Sequence, residues 1–226
     1  MIEVASEFAE VVFCTPLTLA DAKAFYDKIK GEAVKKGRSP DSIKIMPGLS
    51  TIIGRTEAEA TEKFEFLQSL THPIVAREIL SLVLGGIDLS SYSLDDPLPE
   101  TLPETNGSVS TFNATVSLAR RENLTIRQLA LRVAGARGKS VIKGTPESIA
   151  DQMEEWFVNS GCDGFNVMPP YLPGGLNDFV NLVVPELQRR GLFRKEYEGK
   201  TLRDNLGLAR PESRYASQAA TQSHVA

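Results

Sequence analysis

Three short apolar segments, each followed by a helix-patterned stretch, constrain the fold of this chain more than any other feature of its sequence. Val11–Cys14 and residues 43–46 and 165–168 are mostly apolar on both faces, as strands buried within a parallel sheet are. Pro47 and Gly48 are expected to end the second strand. Because strands alternate with helices, the sequence predicts an α/β fold with a parallel sheet.

Helix start signals follow the strands. Thr18, Thr56 and Thr145 each precede apolar residues at helical spacing, and threonine is a good N-terminal cap. Asn177 is expected to cap a last helix, which Pro185 should bend because proline lacks the backbone N–H. Residues 2–9 carry apolar side chains on one face and no preceding cap, which predicts a short helix entered midway.

Between residues 72 and 143 the strand–helix alternation is interrupted. This stretch contains a helical pattern over 73–84, a proline-rich loop over 95–107 and two shorter helical patterns, which together indicate a largely helical insertion. The expected division is residues 1–71 as the first two βα units, 72–143 as the insertion, 144–209 as a final helix–strand–helix unit, and 210–226 as a disordered tail.

The third strand opens into the rigid segment 164–176, GFNVMPPYLPGGL. Ligands of parallel α/β proteins bind beyond the carboxyl ends of the strands, so this segment is a candidate pocket wall. The candidate pocket residues are Asn166, Met168, Pro169 and Tyr171. Asn166 is read either as a core amide or as a ligand contact, and Tyr171 suits an aromatic ligand. Thr15, Pro47 and Ser50 are expected at the equivalent positions of the other units.

Composition excludes several classes of function. The net charge of −4 with mixed Lys, Arg, Asp and Glu gives no broad basic face for nucleic acid or a membrane surface. No apolar run is long enough to span a bilayer, and a cytoplasmic location is expected. Cys14 and Cys162 are expected to be reduced core residues, and His72 and His224 are too few for a zinc site or a Ser-His-Asp triad. Chemistry supplied by a cofactor fits this lack of an obvious acid, base or nucleophile.

The segment 135–139, GARGK, has two open interpretations. Its end resembles a phosphate-binding loop, but Val133 stands where that motif requires glycine, so nucleotide hydrolysis is disfavoured. Arg137 and Lys139 either contact an anion near a binding site or lie in a solvated loop.

Several long motifs, in this order, resemble the C-terminal part of the flavin-dependent monooxygenases of the bacterial luciferase-like superfamily. The resemblance is strongest to the branch that contains nitrilotriacetate and dibenzothiophene-sulfone monooxygenases. The matching motifs are AEVVF at 9–13, LPETNGS at 102–108, RRENLTIRQLALRVAGARG at 120–138, GTPESIAD at 144–151, DGFNVMPPYLPGGL at 163–176 and VPELQRRGLFRKEYEGKTLRDNLGL at 184–208.

This resemblance implies a partial TIM (β/α)8 barrel, made of the last three βα units with a largely helical insertion before the final strand. It implies reduced FMN supplied by a separate flavin reductase, O2, and a small organic substrate. The family's main FMN contacts precede residue 1, so the resemblance assigns no FMN-binding or catalytic residue here. It implies a C-terminal fragment that is inactive alone. The alternative is a non-catalytic half-barrel, a structural or binding module that needs a partner half or self-association.

Overall fold

A computed structural model describes residues 2–136 and 140–211 of the chain. Within these residues it confirms an α/β fold with a parallel, four-stranded sheet. The strands are β1 Val11–Cys14, β2 Lys44–Ile53, β3 Ser140–Gly144 and β4 Asn166–Val167. The helices are α1 Ile2–Phe8, α2 Leu19–Lys35, α3 Glu57–Ser69, α4 Pro73–Val83, α5 Val109–Glu122, α6 Ile126–Ala136, α7 Pro146–Val158, α8 Gly174–Asp178, α9 Val184–Arg189 and α10 Leu202–Asn205. A π-helical turn, Phe179–Val183, joins α8 to α9, and a short 3-10 turn, Pro40–Ser42, precedes β2.

β2 is the centre of the sheet. β1 pairs with its first half, from Lys44 to Pro47, and β3 pairs with its second half, from Leu49 to Ile53. Leu49 is in register with both Ser140 of β3 and Val167 of β4. β3 and β4 therefore lie on opposite edges of β2.

The expected end of the second strand at Pro47 and Gly48 is wrong, because β2 continues to Ile53. Pro47 is tolerated because β4 joins β2 only from Gly48 onward, so the missing N–H falls outside that ladder. Gly48 is explained by close packing, since a Cβ there would lie 2.9 Å from the Phe13 ring. The expectation of three strands also missed β3, whose residues fall at the end of the predicted insertion.

The three predicted threonine caps are confirmed. The side-chain oxygen of Thr18 accepts the backbone N–H of Asp21 at 3.1 Å, and Thr56 accepts that of Glu59 at 3.1 Å. Thr145 caps α7 in the same way, with Pro146 following it. These local signals place the start of each helix directly after a strand.

The prediction that Asn177 caps the last helix is wrong. The helix begins at Gly174, and Asn177 lies within its first turns. The backbone N–H of Val184 reaches the carbonyl of Phe179, five residues back, which makes the π turn. Pro185 follows at the start of α9 and has no N–H to donate. The irregularity that the structure shows at this proline is the widened turn directly before it.

Helices cover one face of the sheet. Ile45 packs with Ile29 and Ala33 of α2. Leu49 and Ile53 pack with the helices on either side of β4. α4, α5 and α6 build a separate core, which Leu17 contacts from the loop after β1.

The opposite face of the sheet is open at β1 and β4. Val11 is 44% exposed and Phe13 is 49% exposed, and Asn166 is exposed as well. Val12 and Val167, which alternate with these residues, pack into the covered face. Parallel sheets are normally buried on both faces, so this face is incomplete within the described residues.

The C-terminal segment returns to the start of the sheet. Arg203 of α10 forms a two-fold ion pair with Glu10, the residue before β1, at 2.7 and 2.5 Å. The hydrogen bond from Arg203 lowers the pKa of the Glu10 carboxyl. The pair joins the two ends of the described chain.

The expected tail beyond residue 211 and the basic residues Arg137 and Lys139 lie outside the described residues. No helix in 2–136 or 140–211 is both long enough and apolar enough to cross a bilayer.

Candidate functional site

The carboxyl ends of the four strands lie at one edge of the parallel sheet, and the loops that follow them form the candidate site. Thr15 follows β1, Gly54 follows β2, Thr145 follows β3 and Met168 follows β4. The sequence predicted that Pro47 and Ser50 follow the second strand. This prediction is wrong, because both residues lie within the longer β2. Ser50 is buried.

Asn166 faces the open side of the sheet. It is exposed, it is in register with Gly48, and its neighbour Val167 points into the helix-covered core. Its side-chain amide has no hydrogen-bond partner among the described residues, so in this structure it does not act as a core amide. The amide is available on this face as a donor and acceptor.

Phe13 and Met168 meet over Gly48. A Cβ on Gly48 would lie 2.9 Å from Phe13 Cε2 and 3.5 Å from Met168 Sδ, so the absence of a side chain allows both groups to approach the strand. Met168 is held by its backbone N–H, which donates to Leu49 O at 2.8 Å. Phe13 is not among the predicted pocket residues, although its alternation with the covered Val12 and Cys14 indicates that it faces the other side of the sheet.

The loop after β4 folds back on itself. A Cβ on Gly174 would lie 2.7 Å from the Tyr171 ring, and one on Gly175 would lie 3.3 Å from Pro170 Cδ. Two glycines therefore let the prolines and the tyrosine ring pack against the start of α8. Met168, Pro169 and Tyr171 are all half-buried.

A polar cluster fixes Tyr171. Its hydroxyl donates to Asp178 Oδ2 at 3.4 Å, and Lys63 Nζ lies 3.5 Å from the same oxygen. Lys63 also donates to Ile53 O at 2.8 Å and pairs with Glu59 at 3.0 Å. Burial, and then the charge of Asp178, raises the pKa of the Tyr171 phenol.

The same contacts act on Lys63. Burial works against its charged form, but the hydrogen bond to Glu59 and the charge of Asp178 outweigh burial and raise the pKa of Lys63. Lys63 therefore stays protonated and links α3, the end of β2 and α8.

The N-terminus of α7 is occupied by a carboxylate of the protein itself. Glu57 Oε1 accepts the backbone N–H of Thr145 at 3.1 Å and the hydroxyl of Ser148 at 2.9 Å. Free N–H groups at a helix start commonly bind phosphate or other anions. Here Glu57 uses that position, so the loop after β3 is not a ready phosphate site.

A buried charged cluster lies at the opposite, amino-terminal edge of the sheet. Asp163 accepts Lys30 Nζ at 2.9 Å, the Tyr26 hydroxyl at 3.1 Å and the backbone N–H of Ile45 at 2.7 Å. Burial disfavours the charged lysine, but the hydrogen bonds with Asp163 and Tyr26 raise the pKa of Lys30. Its position away from the strands' carboxyl ends makes this cluster structural.

The described residues contain few groups suited to catalysis by themselves. No three His, Cys, Asp or Glu side chains among residues 2–136 and 140–211 are placed to hold a metal ion. Burial raises the pKa of Cys14 to about 11 and that of Cys162 to about 12, so both thiols stay protonated.

A cavity of about 310 Å³ lies apart from the candidate site, between the 95–107 loop and the α5–α6 junction, and Pro97, Leu98 and Arg120 line it.

Comparison with known proteins agrees with this arrangement. The luciferase-like monooxygenase family matches residues 1–164. Nitrilotriacetate monooxygenase component A of Aminobacter aminovorans is 55% identical over 95% of this chain and 47% of its own length. Dibenzothiophene-sulfone monooxygenase of Rhodococcus erythropolis is 38% identical over 92% of this chain and 46% of its own length.

A solved structure supports the same relationship. Riboflavin lyase (RcaE), determined with modified FMN and riboflavin, superposes with a TM-score of 0.74 at 29% identity, over 95% of this chain and 46% of the lyase. The chain thus spans about half the length of the relatives it matches. The family match over residues 1–164 and the 55% identity show that the chain belongs to the luciferase-like monooxygenase family.

Proposed function

We propose that this chain is the C-terminal part of an FMN-dependent monooxygenase that oxidises a small organic substrate with reduced FMN and O2. In this proposal β1, β2 and β4 are the last three strands of a (β/α)8 barrel, and the helices α4 to α6 form an insertion before the final strand. A separate flavin reductase supplies reduced FMN. The observation that carries the proposal is the open sheet face at Val11, Phe13 and Asn166.

The position of the exposed apolar side chains supports a partial barrel. On the β1 side, Val4 and Phe8 of α1 are each 63% exposed. On the β4 side, Leu172 is 71% exposed, and Leu176 and Val180 continue the exposed stripe along the last helix. In a closed barrel both flanks and the inner face would be covered by the preceding strands and helices.

The open face suits the flat ring system of FMN better than its phosphate. The Phe13 ring, the Met168 thioether and the Asn166 amide offer an apolar wall with one hydrogen-bonding group, which suits a flat heteroaromatic ring. The loop after β3 offers the phosphate no comparable place, because Glu57 occupies the N-terminus of α7. Bound reduced FMN would supply the electrons for oxygen activation, and this chain's residues would orient the ring and exclude water.

Flavin titration tests this division of the site. The chain alone is expected to show no FMN binding at micromolar concentrations, measured by quenching of flavin fluorescence, because in this proposal the phosphate contacts belong to the rest of the barrel. Joining it to the N-terminal segment of Aminobacter nitrilotriacetate monooxygenase component A is expected to restore FMN binding and O2 consumption with a flavin reductase. Micromolar binding by the chain alone would contradict the proposed division.

The second candidate function is a non-catalytic half-barrel, a structural or binding module that associates with a partner half or with itself. The exposed flanks at Phe8 and Leu172 favour it, because apolar patches of this kind mark interaction surfaces. Analytical ultracentrifugation separates the cases. A compact, stable monomer at all concentrations would count against the half-barrel module.

A further inference from the structure

The loop after β4 is held by contacts that come from a distant part of the chain. Lys63 belongs to α3 and Asp178 to the last helix, and their side chains meet beside Tyr171. The two side chains are each about one-third exposed, at 33% and 32%. The cluster is therefore accessible at the carboxyl edge of the sheet, where the candidate pocket lies.

Lys63 is fixed independently of the loop. Its ammonium donates to the carbonyl of Ile53, the last residue of β2, at 2.8 Å and pairs with Glu59 one helical turn earlier at 3.0 Å. These two contacts set the position of the ammonium relative to the sheet. Asp178 then receives both Lys63 and the Tyr171 hydroxyl on a single oxygen, Oδ2.

This arrangement determines which part of Tyr171 the loop presents. The hydroxyl is directed to Asp178, and the ring lies against Gly174. Without Asp178 the ring could rotate about its side-chain bonds, since the glycine beneath it offers no side chain to hold it. The ring orientation thus depends on a charge contact as well as on packing.

We propose that Lys63 and Asp178 are positioning residues that hold Tyr171 and the 168–175 loop over the end of β2. Lys63 acts through Asp178, and neither residue is assigned a catalytic role. The importance of this clamp for a flavin pocket rests on the proposed function. The clamp itself is a property of the chain without flavin and is measured without it.

The experiment uses the chain labelled with 3-fluorotyrosine. Tyr171 is one of five tyrosines, and its ¹⁹F resonance is identified by its loss in Tyr171→Phe. In Lys63→Met and Asp178→Ala the Tyr171 resonance is expected to shift. Backbone amides of the 168–175 loop should exchange up to about fivefold faster, as expected for the loss of a partly exposed ion pair. Lys63→Arg keeps the charge and should retain the original resonance.

Two controls make the outcome decisive. Lys35→Met removes an exposed lysine that pairs with Glu32 on α2 and should change neither measurement. If Lys63→Met does not fold, Asp178→Ala carries the test, because it leaves Lys63 bonded to Glu59 and Ile53. An unchanged Tyr171 resonance, or exchange that rises equally in the loop and in β2, would overturn the proposal. Failure of FMN binding in the joined protein would bear on the proposed function alone.

Discussion

Replacing Asp163 with alanine is expected to destabilise the fold by about 3 to 5 kcal/mol, the usual cost of breaking a buried ion pair. The carboxylate accepts hydrogen bonds from Lys30, Tyr26 and the backbone of Ile45. The side chain of Lys30 is only 8% exposed and that of Asp163 only 16%. The substitution would leave a buried ammonium and a buried backbone N–H without their acceptor.

The loss is a large fraction of the total stability, because domains are typically stable by about 5 to 15 kcal/mol. Urea unfolding followed by circular dichroism measures it, provided that the variants share one m-value. Tyr26→Phe removes only one donor and should cost about 0.5 to 1.5 kcal/mol. It is the matched control for losing a single hydrogen bond from the same cluster.

A double-mutant cycle isolates the ion pair. Lys30→Met keeps an apolar side chain of similar length and leaves Asp163 with two donors, so it should cost less than Asp163→Ala. Combining the two substitutions should recover part of the loss, with a coupling energy above about 1 kcal/mol. Strictly additive effects would refute the argument that an uncompensated lysine causes the destabilisation.

Three further predictions concern the same structure. Gly54→Ala should destabilise the fold by about 1 to 3 kcal/mol in urea unfolding, as overpacking does, because its Cβ would lie 2.4 Å from the backbone N of Ala60. Gly31 in α2 has open space around it, so Gly31→Ala should stabilise the fold by about 0.5 to 1 kcal/mol. Equal effects of the two substitutions would refute the packing argument. The pKa of Lys30 is raised in the folded protein. The stability that this shift contributes is complete below the unfolded pKa of about 10.4 and is lost as the pH rises through the folded pKa. Above a pH of about 10.4, the urea midpoint of unfolding should therefore fall less with pH in Lys30→Met than in the wild type. Phe13→Asp should cost the isolated chain about 1 to 2 kcal/mol, because the ring is 49% exposed and loses only the packing of its remaining half, yet prevent FMN binding in the joined protein; a loss above about 3 kcal/mol would show that the face is not open.

The features that the sequence predicts correctly depend on residues close together along the chain. Thr18 and Thr56 were recognised as caps because a cap depends on residues three positions apart, and the structure confirms both. β1 was recognised for a similar reason, as its apolar run is short and bounded. The α/β class followed from the alternation of such elements.

Features that depend on distant partners were not predictable in this way. Pro47 and Gly48 normally end a strand, and β2 passes through them only because β4 joins beyond Pro47 and Phe13 packs over Gly48. β3 was not predicted because its five residues form a strand through pairing with β2, and no local pattern indicates that partner. Within the candidate site, Asn166 and Met168 were foreseen as carboxyl-end positions.

The Lys63–Asp178 contact joins residues more than one hundred positions apart. No local pattern indicates it, and α3 reads as an ordinary solvated helix. Tyr171 was predicted as a pocket residue, but the orientation of its hydroxyl towards Asp178 follows only from the folded loop.

The ion pair between Glu10 and Arg203 has a consequence for engineering. It brings the entry to β1 and the helix α10 to one place, so a peptide linker from the residues after α10 to the start of α1 has to span little more than the length of the seven-residue α1. Such a circular permutant could open the chain elsewhere, for example at the exposed Pro103 and Glu104, while the sheet stays intact. The order of the elements along the chain could then be changed while their three-dimensional arrangement is kept.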